Sequence, residues 1–419
     1  MRTKRLIASF CVLLMLAGCL SADSSNNQSD THRPGIDYGY SAWLTPLISN
    51  DNSTPVTANV RVFDMNGDGY DEIFFTEPIA GQIGWRDSAC LDGQQCYTFR
   101  SGLGAPVRVA VADLDNDNQN EVIVSDIGIL HPSNEKFGRV LSLENNQTTV
   151  LYSGLGRTVC AEPGDLDGDG DLDLTLCEFG HDEGSVSWLE QNETGNWTRH
   201  ILDPRPGSIH ALPYDFDNDG DLDIVASISQ LSEEIMLYRN NGTGHFTLES
   251  LFNSDDTHYG MSGLRIVDFD LDGDADIIFT NGDTMDGDIP SGIDPNELHG
   301  VAWLENDGIG SFTYHDLIRT WGAYDTAMND IDNDGDIDIV IICLQMEGQF
   351  PVDTPRDQII ILEAKDGEWI EHSFQFEENY RILTVDIMNG QLVVGSHDPL
   401  NQGGTLYRLA HLQIEPWEP

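Results

Sequence analysis

Carboxylates set at alternate positions around a glycine recur along this chain, and that pattern is suited to holding a hard cation. The fullest copies run Asp165-Leu166-Asp167-Gly168-Asp169-Gly170-Asp171-Leu172-Asp173 and Asp330-Ile331-Asp332-Asn333-Asp334-Gly335-Asp336-Ile337-Asp338. Positions one, three, five and nine offer side-chain oxygens, and position seven offers its main-chain carbonyl. Ca²⁺ takes roughly six to eight oxygens at about 2.3–2.6 Å, and a glycine at position six permits the turn. The ligand sets are Asp64, Asn66, Asp68, Tyr70 and Glu72; Asp113, Asp115, Asp117, Gln119 and Glu121; Asp165, Asp167, Asp169, Asp171 and Asp173. They continue with Asp215, Asp217, Asp219, Asp221 and Asp223; Asp268, Asp270, Asp272, Asp274 and Asp276; Asp330, Asp332, Asp334, Asp336 and Asp338. About six Ca²⁺ sites are expected. An EF-hand is excluded, because position twelve is apolar (Leu176, Ala226, Phe279, Ile341) where that motif needs a bidentate Glu, and the flanks are strand-like. Asn118 replaces the position-six glycine in the second loop, and asparagine tolerates the left-handed conformation.

The elements that present these loops repeat with them. The loop starts are 49 to 62 residues apart, and a seventh copy at Asp386-Ile387-Met388-Asn389-Gly390 keeps its flanking apolar runs but has lost its ligands. Each repeat reads as a strand, the acidic loop, an apolar strand such as Asp223-Ile224-Val225-Ala226, a third strand such as Val301-Ala302-Trp303-Leu304-Glu305, a hairpin and a fourth strand. This period and strand number predict an all-β fold, a seven-bladed β-propeller of four-stranded antiparallel blades. The last repeat lacks a fourth strand, and Ser41 to Ile48 precedes the first loop as fourth strands precede the others. That N-terminal segment is predicted to close the ring as the outer strand of the seventh blade, which would remove an exposed edge.

The loops from Asp215 and Asp268, with the Trp303-Leu304-Glu305-Asn306-Asp307-Gly308 hairpin, resemble the FG-GAP/VCBS repeats, a family that includes the integrin α-subunit head and many secreted microbial proteins. The resemblance spans about residues 41 to 413. It implies Ca²⁺ loops on one face and ligand recognition on the other, and it fixes no ligand, since the fold hosts adhesins, lectins and a minority of lyases and dehydratases.

The N-terminus bears on the compartment. Met1-Arg2-Thr3-Lys4-Arg5 and the apolar run Leu6 to Gly18 read as a signal peptide over residues 1–18, too short to span a bilayer. Leu16-Ala17-Gly18-Cys19 resembles the lipobox of prokaryotic lipoproteins, which implies lipid on Cys19; residues 19–36 then form a polar tether and 37–419 the propeller. The expected location is the outside of the cell membrane or envelope. In that oxidising space Cys90 and Cys96 are expected to bridge a hairpin; for Cys160 and Cys177, flanking the third loop, a bridge and two separate thiols both stay open.

The formal charge of −52, with Lys4, Lys136 and Lys365 the chain's lysines, argues against nucleic acid and suits a saline milieu. The connections opposite the acidic loops carry the long insertions, at 126–137, 281–300 and 344–358. The residue five before each loop start forms a ring near that mouth: Asn59, Arg108, Cys160, His210, Gly263, Asp325 and Arg381. Arg108, His210 and Arg381 could hold an anionic sugar or carboxylate, with Asp283, His299 and Tyr324 on the same rim. The reading is therefore a monomeric, membrane-anchored, calcium-binding propeller for surface recognition or adhesion, with a protein or glycan ligand. A carbohydrate lyase or dehydratase on the same face and a structural envelope role are the alternatives. No catalytic residues stand out.

Overall fold

The computed structural model describes residues 40–49, 56–86, 97–192, 194–283, 293–344, 357–365, 367–375, 381–388, 391–397 and 407–416; for 40–49, 407–416, Tyr97, Phe99 and His397 the description covers the backbone alone. The leader, Cys19, the tether, the Cys90–Cys96 pair, Tyr380, Asp286, Asp288 and most of the 344–358 insertion lie outside the described residues.

The sheets are antiparallel and four-stranded. In the fourth repeat, Ser208–Tyr214 is innermost, followed outward by Asp223–Ser229, Glu233–Arg239 and Thr247–Ser254. The second strand of this blade is buried along its whole length, whereas the outermost strand is largely exposed. The reason is the stacking of blades: a sheet covered on both faces needs a continuous apolar run rather than alternation. Six blades are built from consecutive strands, with innermost strands Asn59–Phe63, Pro106–Ala112, Thr158–Gly164, Ser208–Tyr214, Met261–Val267 and Ala323–Asn329. The predicted count of seven blades is corrected on this point: six blades are built wholly from consecutive strands. The remaining strands, Arg381–Met388, Gln391–His397 and Tyr407–Pro416, make a four-stranded sheet by adding the N-terminal Tyr40–Ser49 at the outer edge. Leu44 stands opposite Leu412 in that pairing.

The core lies in the seams. Cys160, Leu166, Cys177, Val186 and Trp188 of the third blade pack on Ala211, Ile224, Ala226, Met236 and Tyr238 of the fourth. The composite sheet sets Ile382, Val385 and Val394 against Val340, Ile342 and Ile361 of the sixth blade, and Met388 and Val393 against Val60, Ile73 and Phe75 of the first. Cys160 and Cys177 are register partners with Cα atoms 4.9 Å apart and are joined by a disulfide, which resolves that open pair in favour of the bridge. Cys343 is a buried thiol. Among the described residues no helix is long and apolar enough to cross a membrane.

Candidate functional site

Every acidic loop joins the innermost strand of a blade to its second strand, so the loops share one face. Within a loop the carboxylates are first used to fold the backbone. Asp165 accepts from the Gly168 and Gly170 N–H groups at 2.8 and 3.2 Å, Asp167 from Asp169 at 3.2 Å, and Asp169 from Asp171 at 2.9 Å. The turn needs two left-handed residues, at positions four and six: Gly168 and Gly170, Asn218 and Gly220, Asn333 and Gly335, Asn116 and Asn118. The sequence reading stresses position six alone, although the Gly/Asn preference at position four is there to read. Leu271 breaks that preference at φ 60°, at a cost on the order of 1 kcal/mol.

Position nine has a second task that sequence reasoning missed. Asp173 accepts from the Leu166 N–H at 2.9 Å and the Gln191 N–H at 2.8 Å, tying the loop to the end of the third strand. Asp276 does the same with Phe269 and Asn306, and Asp338 with Ile331 and Ala364. Burial pushes these carboxyls up, to about 7 for Asp173 and Glu121 and about 6 for Asp223, Asp276 and Asp338, against backbone hydrogen bonds that favour the charged form.

Five loops bring three carboxylates together with ligand oxygens all within 4.8 Å of one another: Asp113/Asp115/Glu121, Asp165/Asp167/Asp173, Asp215/Asp217/Asp219, Asp268/Asp270/Asp272 and Asp330/Asp332/Asp338. Asp117, Asp169, Asp223, Asp276 and Asp334 stand outside these tightest triads. The first loop has Asn66 in place of the position-three carboxylate, yet keeps the frame, with Asp64 accepting from Gly69 at 2.9 Å and Glu72 from Met65 at 3.0 Å. Glu121 Oε1, Asp223 Oδ2 and Asp268 Oδ1 are buried without a hydrogen-bond partner. Buried anionic oxygens left unsatisfied are costly, and an all-oxygen donor set at this spacing fits Ca²⁺.

The second candidate region is the axis of the ring. Asn59, Arg108, His210, Gly263 and Asp325 of the sequence-predicted ring line one cavity of about 520 Å³, joined by Arg61, Glu162 and Arg265 from two residues further along the same strands. Asp283 and Tyr324 also line it. Three residues expected at this mouth from the sequence are not there. Cys160 is in its disulfide, Arg381 is outside the lining, and His299 is fully buried behind the short helix Pro295–Leu298 rather than on the rim. Asp294 of the acidic insertion is the N-cap of that helix. Trp321, an aromatic at a strand entry near the rim, is also core.

The cavity wall is largely ion-paired. Arg265 donates to Asp325 and to the Val385 carbonyl at 2.9 Å, and Arg61 lies 3.7 Å from Glu162 and 4.0 Å from Asp386, the one carboxylate kept by the degenerate seventh loop. Arg108 donates to the Ile209 carbonyl at 3.0 Å. Burial lowers it to about 10, with Arg61 and Arg265 adding repulsion and Glu162 opposing. His210 Nε2 lies 2.9 Å from the Ser262 carbonyl, and burial and Arg108 hold its pKa well below the ordinary histidine value. By contrast His200, His315 and His372 pair with Glu190, Glu305 and Glu363 at 2.6–2.7 Å between third and fourth strands, a structural role.

The FG-GAP-like repeat family matches residues 165–226 and 215–279, which covers the third to fifth acidic loops. No curated protein matches the chain. Among solved structures, BBS1N in complex with ARL6DN, soaked with lead, aligns with TM-score 0.50 and 9% identity over 88% of this chain and 96% of that one. The same complex soaked with mercury aligns at 0.47 and 10% over the same shares. At this identity the first likeness concerns the fold alone.

Proposed function

We propose that this chain is an exported, calcium-stabilised recognition propeller, held at a membrane by lipid on Cys19, that binds a protein or glycan on the face opposite its acidic loops. The carrying observation is the division between the faces. On one, the carboxylates are committed to short turns and to oxygen clusters spaced to hold a cation. The other carries the long connections, and Asp283 and Tyr324 at their strand ends line the axial cavity. In this reading the composite sheet is the seventh blade, because it packs on both the sixth and the first. A single monomeric ring then suffices, and the charge of −52 disfavours nucleic acid as partner.

Recognition is favoured over lyase or dehydratase chemistry by the state of His210. Its Nε2–H is donated to the Ser262 carbonyl and its pKa is held low by burial and by Arg108, which makes it a weak base rather than one poised near neutral pH.

The test is an array of glycans and surface proteins probed with the chain in calcium, beside a variant whose residues 284–292 are replaced by a Gly/Ser linker. The exchange stops short of Asn281 and His299, which are buried. Binding lost with the melting temperature unchanged is the expected result. Binding insensitive to this exchange but abolished by acidic-loop substitutions would put the ligand on the other face.

A further inference from the structure

The axial cavity is where this acidic protein concentrates arginine: Arg61, Arg108, Arg157 and Arg265 all reach its lining. Two of them are answered locally, Arg265 by Asp325 and Arg61 by Glu162. Arg108 is different. Among the described residues no carboxylate lies within ion-pairing distance of it, and its contacts are the Ile209 carbonyl and, at 3.4 Å, His210 Nε2. With Nε2–H donated to Ser262, the neutral His210 offers Nδ1 as an acceptor. A further acceptor on the lining, Asn59 Oδ1, is buried with no hydrogen-bond donor, and Glu162 Oε1 has the Arg61 guanidinium at 3.7 Å, beyond hydrogen-bond distance. A guanidinium without its anion beside acceptors without donors describes the missing ligand, since buried polar groups are ordinarily satisfied.

We propose that the cavity binds a small hydroxylated monocarboxylate of sugar-acid size, its carboxylate held by Arg108 and its hydroxyls donated to Asn59, His210 and Glu162. About 520 Å³ is within the range of small-molecule pockets and exceeds what a single acetate would fill. Glu162 and Asp325 on the same wall keep the cavity only weakly positive, which suits a monoanion and opposes phosphate. The site is independent of whether the 281–300 insertion docks a macromolecule.

Calorimetry on the calcium-loaded full chain would compare glucuronate and galacturonate with glucose, galactose and inorganic phosphate. A uronate should bind, the neutral sugars should bind at least tenfold more weakly, and Arg108→Gln should lose at least tenfold in uronate affinity with its melting temperature retained. Arg108→Lys, which keeps the charge but loses the fork, should fall between. If Arg108→Gln does not fold, Asn59→Asp serves instead, because a second carboxylate facing the ligand should weaken it by a similar factor. The Gly/Ser exchange of 284–292 should leave uronate affinity unchanged, which separates this site from the docking face. The proposal is overturned if neither uronate binds at about 10 mM, if neutral sugars or phosphate bind as tightly, or if a folded Arg108 or Asn59 variant binds like the parent.

Discussion

Asn306 donates its side-chain amide to the Phe216 carbonyl across the boundary between the fourth and fifth blades, at 3.0 Å, and also to the Ala275 carbonyl in its own blade, at 3.1 Å. Phe216 is position two of one acidic loop and Ala275 position eight of the next, so one buried amide joins neighbouring acidic loops. Asn240 repeats this with Leu166 and Leu222, and Gln191 with Leu114 and Leu172. In the second blade Asn120 reaches Met65 from within its own loop.

Replacing Asn306 by Ala should therefore leave two buried carbonyls unpaired and cost about 1–3 kcal/mol. The sharper expectation is on binding: calcium affinity should fall at the loops from Asp215 and Asp268 together. Calorimetric titration should show two weakened sites. A single weakened site, or none with stability also unchanged, would mean the amide does not couple the loops.

Calcium is expected to be structural. At free ion about ten times the dissociation constant each site adds about 1.4 kcal/mol, so six would add about 8, comparable to the stability of a domain. Exhaustive metal removal, verified by elemental analysis, should lower the melting temperature sharply. An unchanged transition in verified metal-free protein would remove the metal from the account of the fold.

The loops are legible because their chemistry is local: nine consecutive residues carry the ligands, the turn and the period. What escapes is whatever depends on a partner far along the chain. Asp173 reads as a ligand, but its bond to Gln191 is set by strand pairing. Gln191, Asn240 and Asn306 stand at the same point of a repeated hairpin, a signal visible in the sequence whose cross-blade purpose is not. His299 reads as a rim residue because polarity and loop context suggest exposure, whereas the helix from Pro295 turns it inward. Asp386 reads as a leftover of a ruined loop, yet it accepts from the Val62 N–H at 3.0 Å beside Arg61.

The position-nine carboxyls give the metal-free fold a definite pH dependence. Their folded pKa values, about 6 to 7, lie above the unfolded carboxylate range because burial favours the neutral form. A raised pKa contributes stability that is full below the unfolded value, near 4, and is lost as pH rises through the folded value. Calcium-free protein should thus melt at a higher temperature at pH 5 than at pH 8, and calcium should bind more tightly at pH 8 with proton release. Working near 1 M salt screens the general repulsion of this acidic surface and leaves the burial effect. A metal-free melting temperature that rises from pH 5 to pH 8 would contradict the assignment.

Ring closure offers the last test. Tyr40–Ser49 pairs along Tyr407–Pro416, so the sheet that faces both the sixth and first blades ends on an N-terminal strand. Deleting residues 37–49 strips the hydrogen-bonded partner from that edge and exposes the backbone of 407–416, whereas deleting 20–36 touches none of the described strands. The first truncation should lower the denaturation midpoint markedly and leave a chain prone to edge pairing, visible as oligomers in gel filtration. The second should match the parent in both. If the two truncations melt together, the N-terminal strand contributes nothing to closure, and the ring is held by the seams at Val385 and Val393 alone.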